Sequence, residues 1–300
     1  MRPSMHVDQI DSDAALARSL VAGQFPQWAV LPVVEVSSTG TDNALYRLGG
    51  DLVVRLPLRP SATAPVEREH RWLPILAEHL PLEVPTPVAL GRATTGFPWP
   101  WSVVRWIDGE DATTAAFDGH RAAADLARVV TALHGIDATG GPEPHGAGGR
   151  GVPLADRDGL TRRAIGDSAA WVDAGAVTSA WEAVLATPAW DRPGVWVHGD
   201  VASGNLLFGN GRLTALIDWG CVGVGDPACD LIVAWELFDD DARAVFRSAL
   251  GVDDATWERG RGWALSTAVL ELSYYRGTNP FMAARSRRQL AAALGDQAGA

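Results

Sequence analysis

The feature that most constrains this chain is a set of short apolar runs that end in polar side chains. The stretch WVHGDVASGNLLF, residues 196–208, places Asp200 after one such run and Asn205 before the next, and LIDWG then places Asp218 after a third. Short runs of this kind predict buried strands, and strand ends aim side chains rigidly into a cleft. The sequence therefore predicts one site that contains all three side chains.

Phosphoryl transfer needs the side chains that this spacing supplies. The reaction requires a carboxylate that orients and deprotonates a hydroxyl, hard oxygen ligands for Mg²⁺, and cations on the phosphates of a nucleotide. Asp200 suits the first role, and Asn205 and Asp218 suit the second. Asp-x-x-x-x-Asn, followed by an Asp that opens a hydrophobic-Gly turn, is the layout of the catalytic and metal loops of protein kinases.

The first third of the chain is predicted to be strand-rich, with one helix after the third strand. WAVLPVVEVSS, NALYRLGG and DLVVRLP indicate three antiparallel strands, PVEREHRWLPILAEHL a helix, and VPTPVALG and WPWSVVRWIDG two more strands. From Phe117 onward the pattern is helical, interrupted by GVWVHGD, NLLFGNG and RLTALIDWG, in which Asn210-Gly211 predicts a hairpin. ATGGPEPHGAGGRG predicts a loop that cannot pack a core. The boundary is expected near Ile107 to Asp111.

Three motifs, HGDVASGN, LIDWG and GVGDPACDL, resemble in order and spacing those of the aminoglycoside phosphotransferase family. The likeness covers most of the chain and is strongest from Val197 to Leu231. It implies an α+β, bilobal protein-kinase-like fold. The implied N-lobe, residues 1–107, binds nucleotide, and the implied helical C-lobe, residues 108–300, carries the catalytic residues and binds the acceptor.

The resemblance also implies roles for single residues. Asp200 matches the general base, and Asn205 and Asp218 match the two magnesium ligands. Arg55 matches the strand position where kinases usually carry a lysine on the α and β phosphates, and Glu69 matches the helix carboxylate that holds that cation. All 25 basic residues of this chain are arginine. A guanidinium is a fork rather than a point charge, yet it supplies a permanent cation, so function is expected to survive.

Five further positions are assigned on weaker grounds. By position, the loop SSTGTDN with Gly40 is expected to cover the phosphates, although a plain hairpin turn is the alternative. The main-chain groups of Arg105 and Ile107 are expected to bind adenine, by order along the chain alone. Glu236 and Glu271 are guesses for acceptor contacts, because they are acids on late helical segments.

Several polar residues near the motifs are predicted to be structural. His198 could relay a proton, but a hydrogen bond that fixes the loop is the favoured interpretation. Asp226 is expected to cap the helix that follows, and Asp230 to brace the catalytic loop. Cys221 and Cys229 are too few for a disulfide framework and lack the partners of a zinc site.

Composition restricts the partners. A net charge of −11 argues against nucleic acid, and no run is long and apolar enough for a signal peptide or a membrane span, so a cytoplasmic protein is expected. Residues 108–300 hold 26 acids against 16 arginines. This excess is typical of a solvated helical surface, or of a cleft that attracts a cationic ligand. Nothing indicates an obligate protein partner.

The leading hypothesis is a kinase that uses ATP or GTP with Mg²⁺ to phosphorylate a hydroxyl of a small, cationic antibiotic, an aminoglycoside or a similar compound. One alternative is a kinase of an ordinary metabolite, such as an amino alcohol or a sugar derivative. Another is a catalytically silent protein that binds a ligand with the same fold. The intact set of base and metal ligands argues against the silent protein.

Overall fold

The computed structural model describes residues 10–36, 42–144 and 148–295. Two compact units make up the chain, and each is built from separate stretches of sequence. The first unit comprises Met1–His79, Glu83–Gly109 and Ala215–Gly220, and the second comprises Leu80–Leu82, Glu110–Thr214 and Cys221–Ala300. Within the described residues, no helix is both long and apolar enough to cross a membrane.

The first unit contains a five-stranded antiparallel sheet in the order β1-β2-β3-β5-β4. Its strands are β1 Val33–Val36, β2 Asn43–Leu48, β3 Leu52–Pro57, β4 Pro87–Gly91 and β5 Trp101–Arg105, and its helices are α1 Ala14–Gln24 and α2 Thr63–Ala77. This arrangement confirms the predicted meander and the helix after the third strand.

The core of the first unit follows from alternation along β2. Ala44, Tyr46 and Leu48 are buried, while the residues between them are partly exposed, as a strand with one covered face requires. These side chains pack with Leu20 and Val21 of α1 in one apolar cluster. The helix α1 begins at a cap in which Asp13 accepts a hydrogen bond of 2.7 Å from the N–H of Leu16.

The second unit is mostly helical and is organised around one buried helix. Its helices are α3 Gly119–His134, α4 Asp158–Ser168, α5 Ala174–Leu185, α6 Val233–Glu236, α7 Asp240–Leu250, α8 Asp254–Tyr275 and α9 Pro280–Gly295. From Trp257 to Val269 almost every residue of α8 is buried, so this helix has no solvent face there. The helices α4, α5 and α9 pack around it.

Short strands interrupt the helices and carry the predicted site residues. They are β6 Glu110–Asp111, β7 Val195–Val197, β8 Leu206–Gly209, β9 Arg212–Leu216 and β10 Gly223–Gly225; β7 pairs with β10, and the others form the sheet β6-β8-β9. Asn210 and Gly211 have φ angles of 52° and 72°, which confirms the predicted hairpin. Asp200 lies three residues after the end of β7, Asn205 directly precedes β8, and Asp218 lies two residues after the end of β9.

Candidate active site

The loop before Asp200 is held in place by one buried carboxylate. Asp230, which is fully buried, accepts hydrogen bonds from the N–H groups of His198 (3.1 Å) and Gly199 (2.6 Å). The Nε2 atom of His134 lies 3.0 Å from the same carboxylate and donates to it, because an ionised carboxylate only accepts. Three donors from two segments thus converge on Asp230, as expected for a brace.

His198 fixes the next peptide unit. Its Nδ1 atom accepts a hydrogen bond of 3.1 Å from the N–H of Asp200. An accepting Nδ1 carries no proton, so the neutral ring has its hydrogen on Nε2. His198 is fully buried, and this contact gives it the loop-fixing role that the sequence favoured.

Asp200 and Asn205 are joined by hydrogen bonds inside the catalytic loop. The Nδ2 atom of Asn205 donates to the main-chain oxygen of Asp200 at 2.9 Å and to its carboxylate at 3.2 Å. Because the amide nitrogen is used inward, the amide oxygen of Asn205 is the atom left for a cation. The carboxylate of Asp200 is 37% exposed, which leaves it open to a bound hydroxyl.

The first unit contains a second cluster, formed by Arg55, Glu69 and Asp218. Arg55 lies on β3 and Glu69 on α2, and both side chains are buried. The guanidinium donates through Nη1 to one oxygen of Glu69 and through Nη2 to the other at 3.2 Å. Asp218 Oδ1 lies 3.7 Å from the same Nη2. Burial by itself lowers the pKa of Arg55, but the two carboxylates outweigh that effect and the net shift is upward.

The backbone of Asp218 is in the left-handed region, with φ of 61°. That conformation is uncommon for a residue other than glycine, although Asp and Asn adopt it more readily than most. The turn Trp219–Cys221 follows at once, and Trp219 is buried with its ring N–H bound to Leu216. A half-exposed carboxylate therefore projects from a backbone that is anchored on both sides.

Asn205 in the second unit and Asp218 in the first each carry a side chain whose chemistry suits Mg²⁺. Both offer hard oxygen atoms of the kind that Mg²⁺ prefers, and Mg²⁺ is commonly held by one or two carboxylates together with substrate phosphates. Among the described residues, no group of three or more His, Cys, Asp or Glu side chains could hold a metal ion.

Glu236 and Glu271, the predicted acceptor contacts, lie in one polar network of the second unit. Glu236 is buried and accepts hydrogen bonds from the N–H (2.9 Å) and the hydroxyl of Ser203 in the catalytic loop. Glu271 is more exposed and lies 2.8 Å from Nη2 of Arg285, whose Nε is 3.8 Å from Glu236. Burial raises the pKa of Glu236, while Arg285 and Ser203 oppose that rise.

Arg150 is a residue that sequence reasoning missed. It follows two glycines in the Gly and Pro rich loop, and its Nη2 donates to Oδ1 of Asp200 at 3.1 Å. Its side chain is 18% exposed, and its Nη1 is buried without a hydrogen-bond partner among the described residues. A single arginine between glycines, fifty positions before its partner, was the only signal in the sequence.

The predicted adenine-binding segment lies at the end of β5. The N–H of Arg105 donates to Thr86 and that of Trp106 to Asp51, both at 2.9 Å. Recognition of a base at Arg105 would therefore fall to its carbonyl oxygen, with Ile107 supplying the next main-chain groups. Gly40, predicted to cover the phosphates, lies outside the described residues.

Comparison with known sequence families gives one match. Residues 33–263 match the family described as the phosphotransferase enzyme family, APH. That range includes Arg55, Glu69, Asp218 and the loop around Asp200, but not Glu271 and Arg285. No curated protein matches the chain.

Solved structures give a concordant result. Wild-type aminoglycoside 2′-phosphotransferase-IIIa with GDP has a TM-score of 0.75 at 19% identity, covering 95% of this chain and 100% of that one. The GDP and kanamycin complex of APH(2″)-IIIa scores 0.73 at 19% identity, covering 93% and 98%. Macrolide 2′-phosphotransferase MphH from Brachybacterium faecium, an apoenzyme, scores 0.61 at 26% identity, covering 93% and 97%. These likenesses confirm the α+β, protein-kinase-like fold.

Proposed function

Because the chain belongs to the phosphotransferase enzyme family, we propose that it transfers the terminal phosphoryl group of ATP or GTP to a hydroxyl of a small, cationic antibiotic. Nucleotide-dependent phosphotransferase activity follows from membership of this family. The antibiotic acceptor and the roles of single residues are proposed from the loop around Asp200, in which Asn205 donates to the half-open carboxylate while His198 and Asp230 fix the main chain beside it.

Asp200 is the general base in this proposal. Phosphoryl transfer leaves little covalent work to the protein, so catalysis rests on positioning and on electrostatic stabilisation. Asp200 would accept a hydrogen bond from the attacking hydroxyl and take its proton as the oxygen bonds to phosphorus. The bond from Asn205 to the Asp200 carboxylate fixes the direction in which the base points.

The nucleotide's phosphates are assigned to Arg55, with Glu69 as its support. The guanidinium is oriented by both oxygens of Glu69, so it loses little freedom when it binds an anion. Asn205 and Asp218 would hold Mg²⁺, which when bound neutralises charge on the phosphates. The main chain at Arg105 and Ile107 is proposed to bind the base, and the loop at Gly40 to cover the phosphates.

A cationic acceptor is supported by charge and by one relative. The second unit carries most of the acidic excess, which concentrates cations near its surface. The solved relative APH(2″)-IIIa is complexed with kanamycin. Of the two predicted acceptor contacts, Glu271 is the more open, and we propose it for that role, whereas both oxygens of Glu236 are engaged by Ser203. The protein's place is proposed to be the cytoplasm, where nucleotide is available.

The proposal is tested by measuring ADP and GDP release by the purified chain in the presence of candidate acceptors. The panel holds kanamycin, gentamicin, streptomycin, a macrolide, a tuberactinomycin-type peptide and several amino alcohols. Mass spectrometry of the product identifies the phosphorylated hydroxyl, and Asp200→Asn serves as the inactive control. Expression in a sensitive host then shows whether the same compound loses its effect.

The results separate the candidate functions. Phosphorylation of an antibiotic together with raised resistance supports the proposal. Phosphorylation of an amino alcohol with no resistance would assign the chain to metabolism and overturn the antibiotic acceptor. A silent binding protein would bind an antibiotic tightly without forming a phosphorylated product, and Asp200→Asn would bind that antibiotic with the same affinity.

A further inference from the structure

We propose that Arg150 is a catalytic residue, which binds the phosphoryl group in flight through Nη1 while Nη2 holds the carboxylate of Asp200. This inference rests on the proposed function, since it needs Asp200 beside the attacking hydroxyl. It assigns a second arginine to the reaction, distinct from Arg55 on the first unit's sheet.

The position of Arg150 is built into the backbone of the catalytic loop. Gly199 has φ of 80°, and a Cβ atom there would lie 2.6 Å from Cβ of Arg150 and 2.9 Å from the carbonyl oxygen of Cys221. Only glycine leaves room for the arginine to lie against the peptide before Asp200. Gly151, the residue after Arg150, is also held in place, because its carbonyl oxygen accepts a hydrogen bond of 2.8 Å from the N–H of Asp226.

The hydrogen bonds of Arg150 are incomplete, and those of a comparable arginine in the same unit are complete. Arg259 is buried, and it donates to Asp226 through Nε and Nη2, to Pro188 through Nη1 and to Thr256 through Nη2. Arg150 is also largely buried, yet its Nη1 has no hydrogen-bond partner among the described residues. A buried charged donor without a partner is costly, so an oxygen atom of a ligand that reached Nη1 would satisfy it.

The charge of Arg150 is maintained. Burial by itself lowers the pKa of the guanidinium, but Asp200 first, and then Cys221, Glu271 and Cys229, outweigh that effect, so the net shift is upward. A permanent cation next to the base is suited to charge that develops on a transferred group, and arginines used in this way in other phosphotransferases contribute about 10³- to 10⁵-fold in kcat.

In the proposed reaction, the transferred phosphoryl group is the anion that Nη1 of Arg150 binds. The acceptor oxygen forms a bond to the γ-phosphorus, the bond from that phosphorus to the β,γ-bridging oxygen breaks, and the electron pair stays on the departing nucleoside diphosphate. The hydroxyl proton moves to Asp200. The phosphoryl group is then next to the hydroxyl bound by Asp200, and the guanidinium on that carboxylate is within reach of its non-bridging oxygens.

The test uses fluoroaluminate, an analogue of the phosphoryl group in flight. Affinity of the full-length protein for ADP and for GDP with Mg²⁺ is measured by calorimetry, with and without fluoroaluminate. The variants are Arg150→Gln, Arg150→Lys and the double variant R150Q/D200N. Arg212→Ala is the matched control, because Arg212 is an arginine of the same unit that lies 3.2 Å from a carboxylate, Asp125, outside the site.

We expect the wild type and R212A to bind nucleoside diphosphate more tightly when fluoroaluminate is added. R150Q is expected to keep its affinity for diphosphate alone and to lose about 10²- to 10³-fold of the tightening, the usual effect of deleting one donor to developing charge. R150K keeps the charge but cannot contact both groups at once, and we expect partial tightening. This variant also serves if R150Q folds poorly.

The double variant separates contact from simple neutralisation. If Arg150 only cancels the charge of Asp200, D200N restores the tightening in R150Q, and the proposal is overturned. If Arg150 contacts the phosphoryl group, the tightening stays lost. Equal tightening in R150Q and the wild type also overturns this inference and leaves the phosphotransferase intact, whereas a wild type that binds no nucleotide overturns both.

Discussion

Arg55 and Glu69 form a two-armed ion pair between a strand and a helix of the first unit, in which Nη1 donates to one carboxylate oxygen and Nη2 to the other. A lysine could not make this contact, because an ammonium group lacks the planar fork. The pair therefore supplies an oriented cation on the sheet of a chain that has no lysine.

Substitution of Arg55 is expected to weaken nucleotide binding. Arg55→Ala should raise the dissociation constant for ADP or GDP by about 10- to 100-fold, as for the loss of a hydrogen bond to a charged group. The dissociation constant of Arg55→Lys should lie between those of Arg55→Ala and the wild type. Calorimetric titration measures the affinities, and Arg59→Ala is the control, since Arg59 pairs with Asp42 on a more exposed surface. Unchanged affinity in Arg55→Ala would remove the phosphate-binding role.

Loss of the base should affect the chemical step and not the binding of nucleotide. Asp200→Asn keeps the shape of the side chain but cannot take a proton, so kcat is expected to fall by about 10²- to 10⁴-fold with the nucleotide affinity unchanged. Steady-state kinetics with the acceptor identified by the panel provides the measurement. Glu182→Gln, an exposed acid of the same unit paired with Arg162, should behave like the wild type. Full turnover by Asp200→Asn would refute the assignment.

Asp230 is expected to be more important for stability than for direct catalysis. Asp230→Ala leaves the N–H groups of His198 and Gly199 and the ring of His134 without their acceptor, and should lower the free energy of unfolding by about 3–5 kcal/mol. Asp230→Asn keeps an acceptor oxygen, so its free energy of unfolding should fall by less than that of Asp230→Ala. Denaturant unfolding gives the free energies, and hydrogen exchange at Gly199 reports the loop itself. A loss under about 1 kcal/mol would show that the brace is unimportant.

The buried Glu236 predicts a pH dependence with a definite sign. Because its pKa is raised from the ordinary value of 4.5, the folded protein holds this proton more tightly than the unfolded chain. Ionisation of Glu236 therefore lowers the free energy of unfolding. This loss is absent below the ordinary pKa of 4.5 and grows as the pH rises from there through the raised pKa. The wild type should therefore lose stability relative to Glu236→Gln across that window. Denaturant unfolding of both proteins from pH 4 to pH 8 tests this, and a stability difference that does not change with pH would contradict it.

Magnesium binding should depend on the nucleotide. The proposed ligands Asn205 and Asp218 supply one amide oxygen and one carboxylate, and Mg²⁺ is usually bound through one or two carboxylates together with substrate phosphates, so calorimetry is expected to detect Mg²⁺ binding only when ADP or GDP is present. Asp218→Ala should lose the nucleotide-linked binding, whereas Asp156→Ala, a substitution elsewhere in the chain, should retain it. Comparable Mg²⁺ affinity with and without nucleotide would contradict this assignment.

Much of the architecture was predictable because local patterns determine it. Alternation along Asn43–Leu48 fixes which face of that strand is buried, and Asn210-Gly211 fixes a hairpin through two left-handed residues. The order of polar residues around Asp200 was equally readable, since strand ends and an Asp-x-x-x-x-Asn spacing are local features.

The contacts that complete the site were not predictable, because they join distant segments. The arm from Arg150 to Asp200 spans fifty positions, and the bond from Glu236 to the loop residue Ser203 spans thirty-three. The loop that carries Arg150 has no periodicity, so its composition indicated only irregular structure. Glu236 was assigned to the acceptor because it is an acid on a late helical segment, whereas packing buries it against Ser203.

The six residues Ala215–Gly220 belong to the first unit although more than a hundred residues of the second precede them. Within the first unit, Glu83 and Ala215 form a bridge, and the N–H of Leu216 donates to the carbonyl of Glu83. A gene fragment that stops at Gly109 would therefore encode the sheet without Trp219 and without Asp218. If the protein were expressed as two pieces divided at Gly109, the second piece would have to supply Ala215–Gly220 to the first unit. Each piece alone should therefore bind nucleotide poorly until the two are mixed.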